Sequence, residues 1–86
     1  MLNFVYVLQS VSNKTLYIGE TNDVARRLRE HNAGKVQSTK PHRPYTLIYQ
    51  EEHDTKKEAL QRERLIKNSG MLRKALKEGT YSGPIV

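Results

Sequence analysis

The sequence predicts a small α/β domain of the α+β type, in which a three-stranded antiparallel sheet is flanked by helices in the order β-β-α-β-α-α. Three observations predict this class. Three short apolar segments are rich in β-branched and aromatic residues, as strands are. Three other segments carry helical periodicity or helix-start signals. A chain of 86 residues can build one thin core, so we expect a single domain over 1–86, with a core at about 4–78 and a tail at 79–86.

The first two strands are expected to form a hairpin. Residues 4–8 read FVYVL, which is typical of a buried strand, and residues 15–19 read TLYIG. The connecting SVSNK sequence is rich in turn formers, and Asn13 is the residue in it that best tolerates a positive φ. Two strands joined by so short a connection pair antiparallel.

A helix and a basic loop are expected next. Three consecutive residues offer oxygens that can cap a helix: Thr21, Asn22 and Asp23. Val24, Leu28 and His31 then recur on one helical face, and Gly34 suits the position just after the helix. Residues 35–44 are polar, basic and interrupted by two prolines, so they predict a loop.

The third strand and two further helices complete the order. Residues 45–49 read YTLIY and must pair with one edge of the hairpin, while the helices cover a face of the sheet. The TKKE sequence that begins at Thr55 fits a capping box, which predicts a helix to about Asn68. Residues 71–77 predict a short helix that Gly79 ends. The tail has no periodicity and is expected to be extended or loose.

The composition points to an anionic partner. Lys and Arg number 15 against 9 Asp and Glu, a formal net charge of +6, which favours nucleic acid first and solubility alone as the alternative. The absence of cysteine excludes disulfides and thiolate metal sites. The longest apolar run, residues 4–8, is too short for a secretion signal or a membrane span, so we expect a cytoplasmic protein with no membrane partner.

One carboxylate breaks the apolar pattern of the second predicted helix. Ala59, Leu60 and Ile66 mark its apolar stripe, and Glu63 lies four residues after Ala59, so it points the same way. A carboxylate on a core-facing stripe is costly unless it is paired or binds a metal. The plain alternative is an ion pair with Lys67 at i+4.

The first helix and the hairpin carry similar features. Arg27 lies three residues after Val24 and beside the apolar face, where its planar fork suits a phosphate. The alternative is that the aliphatic part of the Arg27 side chain packs against the helix face while its guanidinium reaches water. Glu30 reads as ordinary solvated charge. Tyr6 and Tyr17 lie on the two hairpin strands, where packing is the usual role of a tyrosine.

Four separated segments resemble the GIY-YIG nuclease family. Residues 17–19 are a literal YIG triplet, and residues 4–6 (FVY) stand where the GIY triplet belongs. The segment YIGETNDVARRLREHNAG carries the helix with R-L-x-x-H-N, and TKPHRPYTLIY and EALQRERLIK resemble the third strand and the glutamate-bearing helix of the family. The resemblance covers residues 4–68 and is nearest to the short stand-alone, UPF0213-like members.

The resemblance implies a catalytic set. Its members match the family's paired tyrosines, arginine, histidine and metal-binding glutamate in turn: Tyr6 and Tyr17, Arg27, His31, and Glu63. The family hydrolyses DNA with one divalent cation, so the resemblance implies Mg²⁺, with Mn²⁺ as an alternative. Tyr6 is expected to relay the proton of the attacking water with His31 nearby, provided that its pKa falls well below the free value of about 10. Tyr17 is expected to position the water or the phosphate.

Two hypotheses follow for the function. The first is a metal-dependent endonuclease that hydrolyses DNA, of general or structure-specific type and linked to repair or recombination. It would act alone, as a homodimer or in a larger repair complex. The second is a nucleic-acid-binding module with little or no turnover. The sequence departs from the family at Phe4, which replaces the first glycine. A second departure favours the binding module: residues 70–86 lack the asparagine that many members place near the phosphate. In both hypotheses five cations are expected to contact nucleic acid: Arg26, Lys35, Lys40, Arg43 and Lys67.

Overall fold

The computed structural model describes residues 2–81, and its elements follow the predicted order β-β-α-β-α-α. The strands are β1 (Asn3–Ser10), β2 (Leu16–Thr21) and β3 (Tyr45–His53). The helices are α1 (Val24–Asn32), α2 (Lys56–Lys67) and α3 (Gly70–Glu78). The predicted fold class is confirmed. Within residues 2–81, no helix has the length and apolar character needed to cross a bilayer.

β1 lies at the centre of the sheet and pairs antiparallel with β2 on one side and β3 on the other. The predicted hairpin is therefore present, and the third strand uses the free edge of β1. Val5, Tyr6, Val7 and Leu8 are all buried. Consecutive strand residues point to opposite faces, so both faces of β1 must be covered. The expectation that helices cover one face is wrong in this respect.

The side chains of β1 alternate between the two faces of the sheet, so the core is divided into two clusters. One cluster, on the α2 and α3 side, consists of Val5, Val7, Ile18, Ala59, Ile66 and Leu76. The other, on the α1 side, consists of Tyr6, Leu8 and Tyr45, with Tyr17, Val24 and Leu28 packed against it. Tyr6 therefore points towards α1 because its neighbours in the sequence fill the opposite face.

The turn between β1 and β2 differs from the prediction in one residue. Lys14, and not Asn13, has a positive φ of 65°. Asn13 uses its Oδ1 to accept hydrogen bonds from the backbone N and the hydroxyl of Thr15, at 3.1 and 2.8 Å. This side-chain turn fixes Asn13, so the left-handed conformation falls on the next residue.

The helix ends follow the predicted local signals. Asp23 caps α1 by accepting from the backbone N of Arg26 at 3.0 Å. Thr55 accepts from the backbone N of Glu58 at 3.2 Å, so the predicted N-cap of α2 is confirmed. Glu58 Oε1 accepts from the Thr55 hydroxyl at 3.0 Å, and not from the Thr55 backbone N–H as in a full capping box. Gly79 ends α3 in the left-handed conformation at φ 72°.

Two segments are more ordered than the sequence predicts. The basic loop contains a 3₁₀ turn at Lys40–His42. The hydroxyl of Ser10, at the end of β1, donates to the carbonyl oxygen of His42 at 2.7 Å and so holds this turn against the strand. In the predicted tail, Tyr81 packs edge-on against Tyr49 with ring centroids 5.3 Å apart. Arg62 donates a hydrogen bond to the Tyr81 hydroxyl. The rest of that tail, residues 82–86, lies outside the described residues.

Candidate active site

A glycine allows the ring of Tyr6 to lie across β2. Tyr6 and Gly19 are directly opposite in the β1–β2 ladder. A Cβ atom at Gly19 would lie 2.6 Å from the Tyr6 hydroxyl oxygen, which no ordinary packing permits. The glycine of the YIG triplet is therefore required by the close approach of the Tyr6 ring.

A chain of hydrogen bonds passes through the Tyr6 hydroxyl. Arg27 Nε donates to this oxygen at 3.4 Å, and the same oxygen lies 3.0 Å from His31 Nε2. His31 Nδ1 lies 2.9 Å from the Thr39 hydroxyl, which donates to the carbonyl oxygen of Val36 at 3.3 Å. Because the Thr39 hydroxyl donates its only proton to the Val36 carbonyl oxygen, it must accept the hydrogen bond from His31 Nδ1. Nε2 of His31 is then the acceptor for the Tyr6 hydroxyl.

Burial sets the protonation states of this pair. Burial raises the pKa of Tyr6 to about 12, against the opposing hydrogen bond from Arg27, and the charges of Tyr17 and Glu63 raise it further. Burial also lowers the pKa of His31, and the positive charge of Arg27 lowers it further. At neutral pH the site therefore holds a phenol that faces a neutral imidazole.

Tyr17 completes an aromatic wall around the imidazole. Its ring centroid lies 4.6 Å from that of His31 and 6.2 Å from that of Tyr6. Tyr45 lies beyond the imidazole, with its centroid 6.3 Å away. Tyr6 and His31 are fully buried, whereas Tyr17 is half-buried. Of the two tyrosines, Tyr17 is the one that solvent reaches.

Cations surround the carboxylate of Glu30. Arg27 Nη1 lies 2.9 Å from its Oε1, and Arg26 Nε lies 3.8 Å from its Oε2. The hydrogen bond from Arg27 is the main cause that holds the pKa of Glu30 below its usual value, and the charges of Arg26 and Lys35 act in the same direction. Arg26 and Arg27 also line a cleft of about 360 Å³ with Lys56. This corner carries more positive than negative charge and offers donors to an anion.

Glu63 lies on the buried side of α2, but its carboxylate is paired. Ala59 and Ile66 are fully buried on this side, whereas Leu60 is 40% exposed. The prediction that Leu60 belongs to the apolar stripe is wrong, because adjacent helical residues are rotated by about 100°. The Glu63 side chain is 19% exposed, and Lys67 Nζ contacts its Oε2 at 2.9 Å. The i,i+4 ion pair considered as the alternative is thus present.

The residues around Glu63 fit a cation held mainly by water and substrate. Within residues 2–81, no group of three or more His, Cys, Asp or Glu side chains is placed to hold a metal ion. A cation at Glu63 would therefore take one carboxylate from the chain. Mg²⁺ commonly binds in this way, through one or two carboxylates together with water and phosphate oxygens.

The five cations expected to contact nucleic acid lie in three places. Arg26 is beside Glu30 on α1, and Lys35 follows the end of that helix. Lys40 begins the 3₁₀ turn and Arg43 follows it, and Arg43 Nε donates to the carbonyl oxygen of Lys40 at 3.0 Å. Lys67 is paired with Glu63 at the end of α2. Their contact with nucleic acid stays a prediction.

Two site residues were missed by the sequence patterns. Thr39, which fixes the tautomer of His31, lies in the segment predicted to be a plain loop. Nothing in the local sequence distinguishes it from its neighbour Ser38. Glu30, read as solvated charge, engages Arg27. Its i,i+3 spacing from Arg27 was a usable signal for this contact.

Comparisons with known proteins identify the family of this chain. The family model of the GIY-YIG catalytic domain matches residues 2–74. UPF0213 proteins from the Staphylococcus aureus strains Mu3 and N315 are 46% identical over 66 residues, which covers 76% of this chain and 79% of each relative. A UPF0213 protein from Bacillus halodurans, solved by solution NMR, has a TM-score of 0.56 at 29% identity, covering 98% of this chain and 89% of that one. The chain therefore belongs to the GIY-YIG nuclease family and is similar to its UPF0213 proteins.

Proposed function

We propose that this protein is a metal-dependent endonuclease that hydrolyses phosphodiester bonds in DNA. The observation that carries the proposal is the hydrogen-bond chain from Arg27 through the Tyr6 hydroxyl to a neutral, buried His31. Family membership supports nuclease chemistry in general. The substrate, the cation and the role of each residue are the content of the proposal.

Tyr6 accepts the proton of the attacking water by passing its own proton to His31. A phenol with a pKa of about 12 is not ionised at neutral pH, so it is a poor base by itself. When Nε2 of His31 takes the Tyr6 proton as the water proton arrives, no full charge has to develop on the buried oxygen. Thr39 accepts from Nδ1 and stabilises the resulting imidazolium. Proton transfer of this kind contributes about 10²–10⁴-fold to a rate.

Arg27 binds the scissile phosphate. Its guanidinium is partly exposed and contacts Glu30, and a phosphate competes with that carboxylate for the same planar fork. Donors aimed at an oxygen that gains negative charge stabilise the transition state. Tyr17 is half-buried beside His31, so its hydroxyl is assigned to the water or to a phosphate oxygen.

Glu63 supplies the protein ligand of the divalent cation, with Mg²⁺ expected and Mn²⁺ as an alternative. Lys67 is half exposed and can release the carboxylate, because exposed ion pairs stabilise a protein by only about 0–1 kcal/mol. When bound, the cation supplies Lewis-acid activation of the phosphate and neutralises charge on the leaving oxygen.

The substrate is expected to be selected by structure more than by base sequence. Arg26, Lys35, Lys40, Arg43 and Lys67 are suited to the phosphate backbone, which carries no direct sequence information. A role on branched DNA in repair or recombination, in the cytoplasm, is part of this proposal. A single site cuts one strand at a time, so a double-strand break would come from two successive cuts or from two copies in a homodimer or a larger repair complex.

One observation favours a second candidate, a nucleic-acid-binding module with little or no turnover. Lys67 contacts Glu63 at 2.9 Å and so occupies the carboxylate that the cation needs. In addition, residues 70–86 contain no asparagine to replace the one that many family members hold near the phosphate. A basic surface on the same fold would then be the functional feature.

The test is cleavage of labelled single-stranded, duplex, flap and branched DNA in Mg²⁺, in Mn²⁺ and in chelator. We expect cutting that requires the cation and disappears in Glu63→Ala and in Arg27→Ala. Glu78→Ala removes an exposed carboxylate from α3 and serves as the matched control, which should cut normally. Salt-sensitive binding without cutting on any DNA would favour the binding module instead. A Glu63→Ala protein that cuts at the wild-type rate would contradict the metal assignment.

A further inference from the structure

A second cationic groove lies between the start of β2 and α3, outside the residues assigned to the proposed site. Its volume is about 410 Å³. It is lined by Thr15, Leu16, Gly70, Arg73, Lys74 and Lys77. Three of these side chains are cations and none is acidic, so the groove has a positive potential that its own walls do not balance.

The cations of this groove are available to an external anion. Arg73, Lys74 and Lys77 are all exposed. Within the described residues 2–81, no ion pair joins any of them to a carboxylate, including that of nearby Glu78. Arg73 Nη1 donates to the backbone carbonyl oxygen of Lys67, which leaves the guanidinium charge uncompensated.

The helical wall of the groove is connected to a residue of the proposed catalytic site. On the helical wall, Arg73 bonds to Lys67, and the ammonium of Lys67 pairs with Glu63. The groove therefore adjoins Glu63, the residue proposed to hold the cation.

We propose that this groove binds the sugar–phosphate backbone of the substrate nucleic acid to one side of the cleaved bond, an inference that rests on the proposed nuclease function. Arg73 and Lys77 are one helical turn apart, about 6 Å along the axis of α3, so both can contact phosphates of the same strand. None of the six lining residues is aromatic. Base stacking is therefore not the binding mode, and the contacts are to the backbone, without base readout.

The test compares two triple variants that lose the same charge. The groove variant is Arg73→Gln, Lys74→Gln and Lys77→Gln. The control variant is Arg29→Gln, Lys57→Gln and Arg64→Gln, at exposed positions of α1 and α2 that line neither the groove nor the site. Affinity for a labelled DNA duplex is measured by fluorescence anisotropy over a range of NaCl concentrations, in chelator. Circular dichroism melts establish that both variants are folded.

The salt dependence of binding gives the decisive number. Each phosphate contact contributes about 0.9 to the slope of log K against log salt on duplex DNA. We expect the groove variant to lose about 2–3 units of this slope and to bind about tenfold more weakly near 0.1 M salt, while the control variant loses less than half as much. Equal losses in the two variants, or wild-type binding that does not depend on salt, would overturn the proposal.

Binding in chelator separates this proposal from the proposed function. If the wild type cuts no DNA but the groove variant alone loses its salt slope, the endonuclease assignment fails and nucleic-acid binding by the groove stands. If the wild type cuts DNA and the two variants bind alike, the endonuclease stands and the groove assignment is overturned.

Discussion

Gly19 determines where the Tyr6 hydroxyl can lie. Adding one methyl group at this position, in the variant Gly19→Ala, tests this. In Gly19→Ala the new Cβ would lie 2.6 Å from the Tyr6 hydroxyl oxygen and 2.8 Å from its Cζ, so the ring would have to leave His31. Overpacking of this kind costs about 1–3 kcal/mol, which urea denaturation would measure as a lower free energy of unfolding. The control is Gly70→Ala, where the nearest atom to the new Cβ is 4.0 Å away and no destabilisation is expected. Similar losses in both variants would contradict the packing account.

His31 should make the stability of the protein depend on pH. Its folded-state pKa is lowered by burial and then by Arg27, whereas in the unfolded chain the pKa is about 6.5. Between these two values the unfolded state binds a proton that the folded state does not. The free energy of unfolding should therefore fall as the pH drops below about 6.5 towards the folded pKa.

Urea denaturation at a series of pH values from 8 to 5 tests this dependence. His31→Gln should flatten the loss of stability on acidification, because the buried imidazole is the group that resists protonation. His42→Gln, in the 3₁₀ turn, should keep the wild-type profile. A His31→Gln profile as steep as that of the wild type would place the pH dependence elsewhere.

Single residues were predictable where a motif fixed their spacing. Tyr6, Tyr17, Arg27 and His31 were recognised by their order along two strands and one helix, and the fold brings these four side chains together. Thr39 was not recognised, because its contact with His31 depends on the path of a loop and not on a periodic pattern. The catalytic roles of these residues stay predictions.

At the scale of secondary structure, Asn32 fastens the end of α1 to the start of β3. Its Oδ1 accepts from the backbone N of Tyr45 at 2.7 Å, and its Nδ2 donates to the Tyr45 carbonyl oxygen at 3.1 Å. Asn32→Ala removes both hydrogen bonds, and we expect the free energy of unfolding to fall by about 1–3 kcal/mol. Asn32→Asp keeps the acceptor and loses the donor, so its free energy of unfolding should lie between those of the wild type and Asn32→Ala.

The matched control for this prediction is Asn68→Ala. Asn68 ends α2, and its side chain makes no hydrogen bond within residues 2–81 that its loss would break. Thermal or urea denaturation should show only a small change for this variant. An Asn32→Ala protein as stable as Asn68→Ala would show that α1 does not need this connection.

Helix boundaries were more predictable than sheet boundaries, for a physical reason. The caps of α1, α2 and α3 act through residues within one turn, so Asp23, Thr55 and Gly79 carried the information locally. β3 extends to His53, beyond its apolar segment, because it pairs along the whole of β1 as far as Asn3. Such long-range pairing leaves no mark in the sequence of β3 itself.

At the scale of the whole molecule, the net charge of +6 is distributed over separate surfaces. One lies at the cleft of Arg26, Arg27 and Lys56, and another at the groove along α3. The sequence predicted the total charge and the basic loop. It did not predict the groove, because its walls are more than fifty residues apart in the chain and meet only in the fold.

Tyr6 and His31 are proposed to act as one proton-accepting unit in an endonuclease. The most direct test is a double-mutant cycle of single-turnover cleavage in Mg²⁺. Tyr6→Phe removes the hydroxyl, and His31→Gln keeps an acceptor for it but cannot take up a proton. We predict that each change slows cleavage by about 10²–10⁴-fold. The double variant should be no slower than the slower single variant. When two groups act as a unit, removing either one already abolishes their joint contribution to the rate, so removing the second costs nothing more. Effects that multiply in the double variant, or wild-type cleavage by either single variant, would contradict the claim.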